Sequence, residues 1–171
     1  INSEAFPKRQ VFFDDLFLRL KVNLFGNDSG TIALALMPFF KLPTRSSRIG
    51  AQKGEGGIIL PVIFHLSPRL SLGATSQWNV RPSEESRAYG LEWSTSVSLG
   101  YEWTKEWGGY WELFQQLSLD QSAILDQGVR TFDFGWTYEV LSDVQLDLGC
   151  NVGLSKNSDP FHPFLGVSFR F

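Results

Sequence analysis

Cysteine, histidine and methionine are nearly missing from this chain of 171 residues, which holds one Cys, two His and one Met. A single Cys rules out a disulfide framework within the chain. Two His and one Cys at unrelated spacings make no metal site, so neither a metal nor another cofactor is expected. An excess of one charge is also missing. The formal net charge is −3 and the 15 Lys and Arg are scattered, which leaves no electrostatic footprint for nucleic acid. No run of about 18 apolar residues occurs, so a helical membrane span is excluded, and mean hydropathy is only −0.09. The start, INSEAFPKRQ, has no charged region followed by an apolar stretch, so any secretory signal is already cleaved or lies outside this chain.

Glycine and aromatic residues are plentiful, at 16 Gly and 15% aromatic, and both favour β structure with tight turns. Period-two alternation recurs in segments of about ten residues. DDLFLRLKVNLF puts Leu16, Leu18, Leu20, Val22 and Leu24 on one face and Phe17, Arg19, Lys21 and Asn23 on the other. TIALALMPFFKL aligns Ile32, Leu34, Leu36 and Phe40, and GGIILPVIFHL aligns Ile58, Leu60, Val62, Phe64 and Leu66. RLSLGATSQW is weaker. AYGLEWSTSVSLGYEW is the clearest, with Leu91, Trp93, Val97, Leu99 and Tyr101 against Glu92, Ser94, Ser96, Ser98 and Glu102. GYWELFQQLSL, VRTFDFGWTYEV and VQLDLGCNVGLS follow, and FLGVSFRF carries Leu165, Val167, Phe169 and Phe171 to the last residue. The total is nine strands.

Alternation alone fits a soluble β-sandwich with an aromatic core, a soluble barrel or a membrane barrel, because each covers one face of every strand. Three patterns favour the antiparallel transmembrane β-barrel. The strands suit a tilted crossing of about 9 to 11 residues plus flanks. Working back from Phe171, connections near 120–127, 81–88 and 42–55 are longer than the turns that alternate with them, as expected of long outer loops and short inner turns. Trp103, Trp111, Trp136, Tyr138, Phe169 and Phe171 fall on the apolar face at the inner strand ends, half of an aromatic girdle. Parity predicts that the turn after Val140 comprises Leu141, Ser142 and Asp143, pairing Val140 with Val144 and Tyr138 with Leu146.

On the other face, toward the lumen, parity places Arg19, Lys21, Glu92, Glu102, Glu112, Asp133, Glu139, Asp147 and Arg170. These charges either tune a polar pathway or pair across a narrow barrel and block it, as Asp147 and Arg170 could do on neighbouring strands. Gly135, Gly149 and Gly153 leave room for solute or for larger neighbours. His65 points to the lumen and His162 falls in an outer loop. Neither has a Ser and Asp arrangement that spacing can place, so no catalytic residue is expected. Cys150 falls on the apolar face. Loop 42–55 carries Arg45, Arg48 and Lys53; it is either a solvated loop or a contact for lipopolysaccharide phosphates.

The segments GND (26–28), ALALMPFFKLPT (33–44), EGGIILPV (55–62), WELF (111–114) and VQLDLGCNVGLSKNSDPFHPFLGVSFRF (144–171) resemble the outer-membrane barrel family of the MetA pathway of phenol degradation, often labelled a transporter. The resemblance covers most of residues 14 to 171. It implies a bacterial outer-membrane location, with lipid, lipopolysaccharide, the barrel assembly machinery and a small-molecule solute as partners. It also implies that Gly166, Phe169 and Phe171 belong to the terminal assembly signal, although Phe164 stands where a polar residue is usual. Members of the family are longer at the N-terminus. With nine strands here and even counts in bacterial barrels, the expectation is an N-terminally truncated fragment, one barrel domain across 1–171, and about twelve strands in the complete barrel. Residues 1 to 13 are then an outer loop, with Val11 to Phe13 entering the first strand. The expected function is passive transport of small, aromatic or otherwise apolar catabolic solutes. The rival is a plugged barrel with a structural, adhesive or hydrolytic role.

Overall fold

The computed structural model describes residues 16–26, 30–43, 53–82, 88–119 and 128–170. The expectations for Phe171, for Arg45 and Arg48, and for residues 1 to 13 lie outside them. Every regular element among the described residues is a strand. The strands are β1 (Leu16–Arg19), β2 (Val22–Phe25), β3 (Ile32–Leu42), β4 (Glu55–Ser67) and β5 (Leu70–Pro82), then β6 (Tyr89–Glu102), β7 (Trp107–Ser118), β8 (Val129–Leu141), β9 (Val144–Gly153) and β10 (Phe161–Phe169). They form a single antiparallel sheet in the order β1, β3, β4, β5, β6, β7, β8, β9, β10, with β2 also on β3. β1 and β10, at the two ends of this order, are not paired with each other. A sandwich needs two facing sheets, and the described residues form one.

The expected first strand is broken in two, and Pro38 is the reason. β1 and β2 run along β3 in one register: Arg19 opposes Phe39 and Val22 opposes Leu36, with Leu20 and Lys21 between them. The Leu20 amide donates to the Pro38 carbonyl at 3.1 Å. Proline has no N–H to return, so that rung is half made. Pro61 has the same effect on the next ladder, where β3 and β4 pair on both sides of it but skip Ala35 and Leu36. The nine predicted columns are therefore present, the first in two pieces.

Short turns close one end of the sheet, at 26–31, 68–69, 103–106 and 142–143, while the connections at the other end, 43–54, 83–88, 119–128 and 154–160, are longer on the whole. Gly26 makes the first short turn with φ of 63°, a region that a side chain rarely enters. The turn after β8 differs from expectation. It holds only residues 142–143, and Leu141 rather than Val140 pairs with Val144, while Tyr138 does oppose Leu146. A two-residue turn alone would flip the faces, and a bulge between Glu139 and Leu141 absorbs the extra residue and restores parity. The turn at 68–69 uses the same device, with a shift between His65 and Ser67.

The sheet covers its polar face and exposes its apolar one. Glu92, Ser94 and Asp133 are buried, at 5%, 7% and 8% exposure, whereas Val97, Leu113, Leu148 and Leu165 are 50%, 57%, 54% and 76% exposed. Among the described residues, only Ala35, Leu117 and Cys150 are buried apolar groups. A water-soluble domain buries its apolar side chains to offset chain entropy. This sheet does the reverse. The aromatic residues expected near the short turns lie on the exposed face: Trp103, Trp111, Trp136 and Phe169 are all exposed. Trp107 joins them, 4.6 Å from Tyr138 between ring centroids. No helix among the described residues is long and apolar enough to cross a membrane.

Candidate functional site

The covered face carries the candidate site, and strand pairing fixes which residues meet there. One row of cross-strand partners runs from Ala33 through Ile63 and Gly73 to Ser98. It continues through Glu112 and Asp133 to Asn151 and His162. Glu112 and Asp133 are thus direct neighbours across β7 and β8. His162 lies in β10, not in an outer loop, because Phe161 and Pro163 extend the apolar alternation of the last strand and draw His162 into the ladder opposite Asn151.

The next row toward the short turns contains His65, Ser71, Gly100, Tyr110, Gly135, Gly149 and Phe164. The space at its glycines is taken by larger neighbours. A Cβ on Gly135 would stand 2.8 Å from Tyr110 Cε1 and 2.9 Å from its hydroxyl, and one on Gly149 would collide with the Phe164 ring. Each ring leans across a neighbouring strand where only hydrogen leaves room, a packing that pins register. Gly153 is filled likewise, with Ser158 Cβ at 2.9 Å. Phe164, the residue that departs from the expected assembly signal, therefore has a packing role, while Gly166 lies opposite Asp147.

Among the described residues, the predicted lumen charges divide into those with a polar partner and those without one. Glu92 accepts from Asn79 Nδ2 at 3.0 Å and pairs with Arg81 Nη2 at 3.0 Å, and Gln77 Nε2 donates to Asn79 Oδ1 at 2.8 Å. Spacing did not single out Arg81, although it shares the face of Asn79 by parity. Asp147 accepts from Gln145 Nε2 at 2.6 Å and from Ser168 Oγ at 3.1 Å. It does not pair with Arg170. Register explains the correction: Asp147 opposes Gly166, and Arg170 lies four residues further along, about 13 Å away at the usual rise. The Arg170 amide instead donates to the Asp143 carbonyl at 2.9 Å. Arg19, Lys21, Glu102, Glu139 and Arg170 are all exposed. Asp133 Oδ2 accepts from Thr131 at 3.1 Å, but its Oδ1 is buried without a partner.

Sequence reasoning missed that this face is polar on only one side. Ala33, Ala35 and Met37 on β3 and Ile59, Pro61 and Ile63 on β4 share the face of the carboxylates by the alternation of their strands. The signal was there: LALMPFF and IILPVIF are apolar at every position, the pattern of a strand with both faces away from water. Beside this apolar stretch lie cations. Arg19 Cζ and Lys41 Nζ sit 5.5 and 5.6 Å from the Phe17 ring centroid, and Lys41 pairs with Glu55 at 3.4 Å. Lys53, from loop 42–55, lies 5.7 Å from the ring centroid of Tyr89.

Among the described residues, no group of three His, Cys, Asp or Glu side chains could hold a metal ion. Neither histidine side chain forms a hydrogen bond or ion pair there. Cys150 is buried between its partners Phe134 and Pro163 on the apolar face.

The model of one protein family, described as "Putative MetA-pathway of phenol degradation", matches residues 4–171. The chain belongs to that family. Membership ties this sheet to a family described by a role in phenol degradation, and the match runs through every described strand. No curated protein matches the chain.

Proposed function

We propose that this member of the family is a bacterial outer-membrane β-barrel that passes small, aromatic or otherwise apolar catabolic solutes across the membrane without catalysis. One observation carries the reading: the sheet hides Glu92, Ser94 and Asp133 and exposes Val97, Leu113, Leu148 and Leu165. Lipid on the apolar face makes that arrangement favourable, and water on the same face makes it costly. Closure of the sheet into a barrel is part of the proposal, since an open edge in hydrocarbon leaves backbone groups unsatisfied. The family description agrees with an aromatic solute. So does the covered face, which offers Met37, Ile59 and Ile63 to an apolar ring and carboxylates to a polar group.

The test is single-channel conductance of the complete gene product in a planar bilayer, with and without small aromatic acids. Discrete openings that these solutes block are expected. A folded barrel that stays silent overturns the channel and leaves the plugged barrel, a reading that the inward rings of Tyr110 and Phe164 over Gly135 and Gly149 favour.

A further inference from the structure

Three carboxylates on the covered face have a donor or a cation beside them. Glu92 has Arg81 and Asn79, Glu55 has Lys41, and Asp147 has Gln145 and Ser168. Glu112 and Asp133 lie in the middle of the sheet with less: Glu112 has no partner among the described residues, and Asp133 has only the Thr131 hydroxyl, which donates to its Oδ2 at 3.1 Å. They are direct cross-strand partners, so their Cα atoms are about 4.5–5.5 Å apart. Like charges at that spacing repel. Asp133 is only 8% exposed, and its Oδ1 meets no donor. Glu112, half-buried, forms no hydrogen bond or ion pair with any described residue. Two carboxylates held together with so little water, and with no counter-charge among the described residues, are short of one cation.

The surroundings define its chemistry. Tyr110 and Phe114 flank Glu112 on the same strand and face, two residues away on each side. The Tyr110 ring leans over Gly135, which is two residues from Asp133 on the same face. Aromatic faces attract organic cations. Further along the same row stand Ala33 and Ile63, with the small Gly73 and Ser98 between them and Glu112. A divalent metal is a poor fit, for it wants about six oxygen ligands.

We propose that Glu112 and Asp133 bind the ammonium group of an amphipathic organic amine, flanked by the rings of Tyr110 and Phe114, with its apolar part directed along the row toward Ile63. This deepens the channel reading and rests on the covered face being a solute path. The site holds the cation by charge-assisted hydrogen bonds to carboxylates. A neutral aromatic solute lacks that anchor and passes without stopping there.

The experiment measures the thermal unfolding midpoint of the complete gene product in detergent against phenethylammonium chloride, 2-phenylethanol and potassium chloride. Stabilisation by a ligand of the folded state follows its affinity. Phenethylammonium is expected to raise the midpoint far more than the other two. E112Q and D133N are each expected to weaken its binding about tenfold or more, the scale of one lost charge-assisted bond. Should D133N fail to fold, E112Q gives the same readout alone. Equal stabilisation by potassium or by phenylethanol overturns the ammonium site. Conductance separates this failure from that of the channel. A conducting barrel whose cation selectivity and amine response are unchanged in E112Q and D133N keeps the channel and overturns the site. A silent barrel whose amine stabilisation is lost in the variants overturns the channel and keeps the site.

Discussion

The Leu20 amide donates to the Pro38 carbonyl at 3.1 Å, and Pro38 has no amide to give back. Because the carbonyl and nitrogen of one strand residue face the same neighbour, the missing donor is the one that would meet the Leu20 carbonyl. This one-sided rung separates β1 from β2 at the border of the sheet.

Pro38→Ala supplies that donor. β1 and β2 are expected to merge into one strand, and amide exchange across residues 19–22 is expected to slow. Mass-spectrometric hydrogen exchange on matched peptides checks this. Unchanged exchange would mean that something other than Pro38 breaks the strand.

Leu113 stands mid-strand in β7 and is 57% exposed. If that face meets hydrocarbon, Leu113→Arg costs about 2–4 kcal/mol near the midplane. On a water-facing strand the same change is worth less than about 0.5 kcal/mol. Urea unfolding of wild type and variant in lipid vesicles distinguishes the two, and a near-zero difference would remove the membrane reading.

Gly135 lies beneath Tyr110, and an added Cβ there also stands 2.8 Å from the Leu148 carbonyl oxygen. Gly135→Val is expected to destabilise the sheet by about 1–3 kcal/mol, the range for overpacking. Tyr110→Ala in the same chain removes the ring contact but not the backbone one. The double variant should therefore recover part of the loss and not all of it, which a double-mutant cycle of unfolding free energies would show.

Glu92 is buried and engaged by Asn79 and Arg81. Glu92→Ala leaves the Asn79 amide without its acceptor and is expected to cost about 1–3 kcal/mol. Glu139→Ala, at an exposed position with no described partner, is expected to stay within about 0.5 kcal/mol. Parity puts both on one face, so equal costs would show that the Glu92 network contributes nothing.

The strands themselves were legible in the residues, and so was the division of their faces. Leu91, Trp93, Val97 and Leu99 against Glu92, Ser94, Ser96 and Ser98 leave a single choice, since a slip of one residue turns every apolar group over. The alternation of short and long connections and the aromatic residues near the short turns were legible for the same reason. Turn detail was less so. Parity after Val140 allowed either an odd turn or an even turn with a bulge, and sequence spacing cannot tell one from the other. His162 was hidden by the prolines on both sides of it, at 160 and 163, which read as loop until Pro163 is seen opposite Cys150 at the sheet border.

By itself, the sequence determined the β class, the membership of each residue in one face or the other, and the aromatic and glycine positions, because each follows from period-two geometry or from local backbone freedom. Beyond pairs close to a short turn, such as Tyr138 with Leu146, only the tertiary structure decided which residues meet across strands. It set Glu112 beside Asp133, separated Asp147 from Arg170, placed the Tyr110 and Phe164 rings over Gly135 and Gly149, and aligned the apolar inner residues of β3 and β4 with the carboxylates of β7 and β8. Those meetings depend on register summed over many strands, and a residue's neighbours two strands away are fixed by every turn and bulge between them.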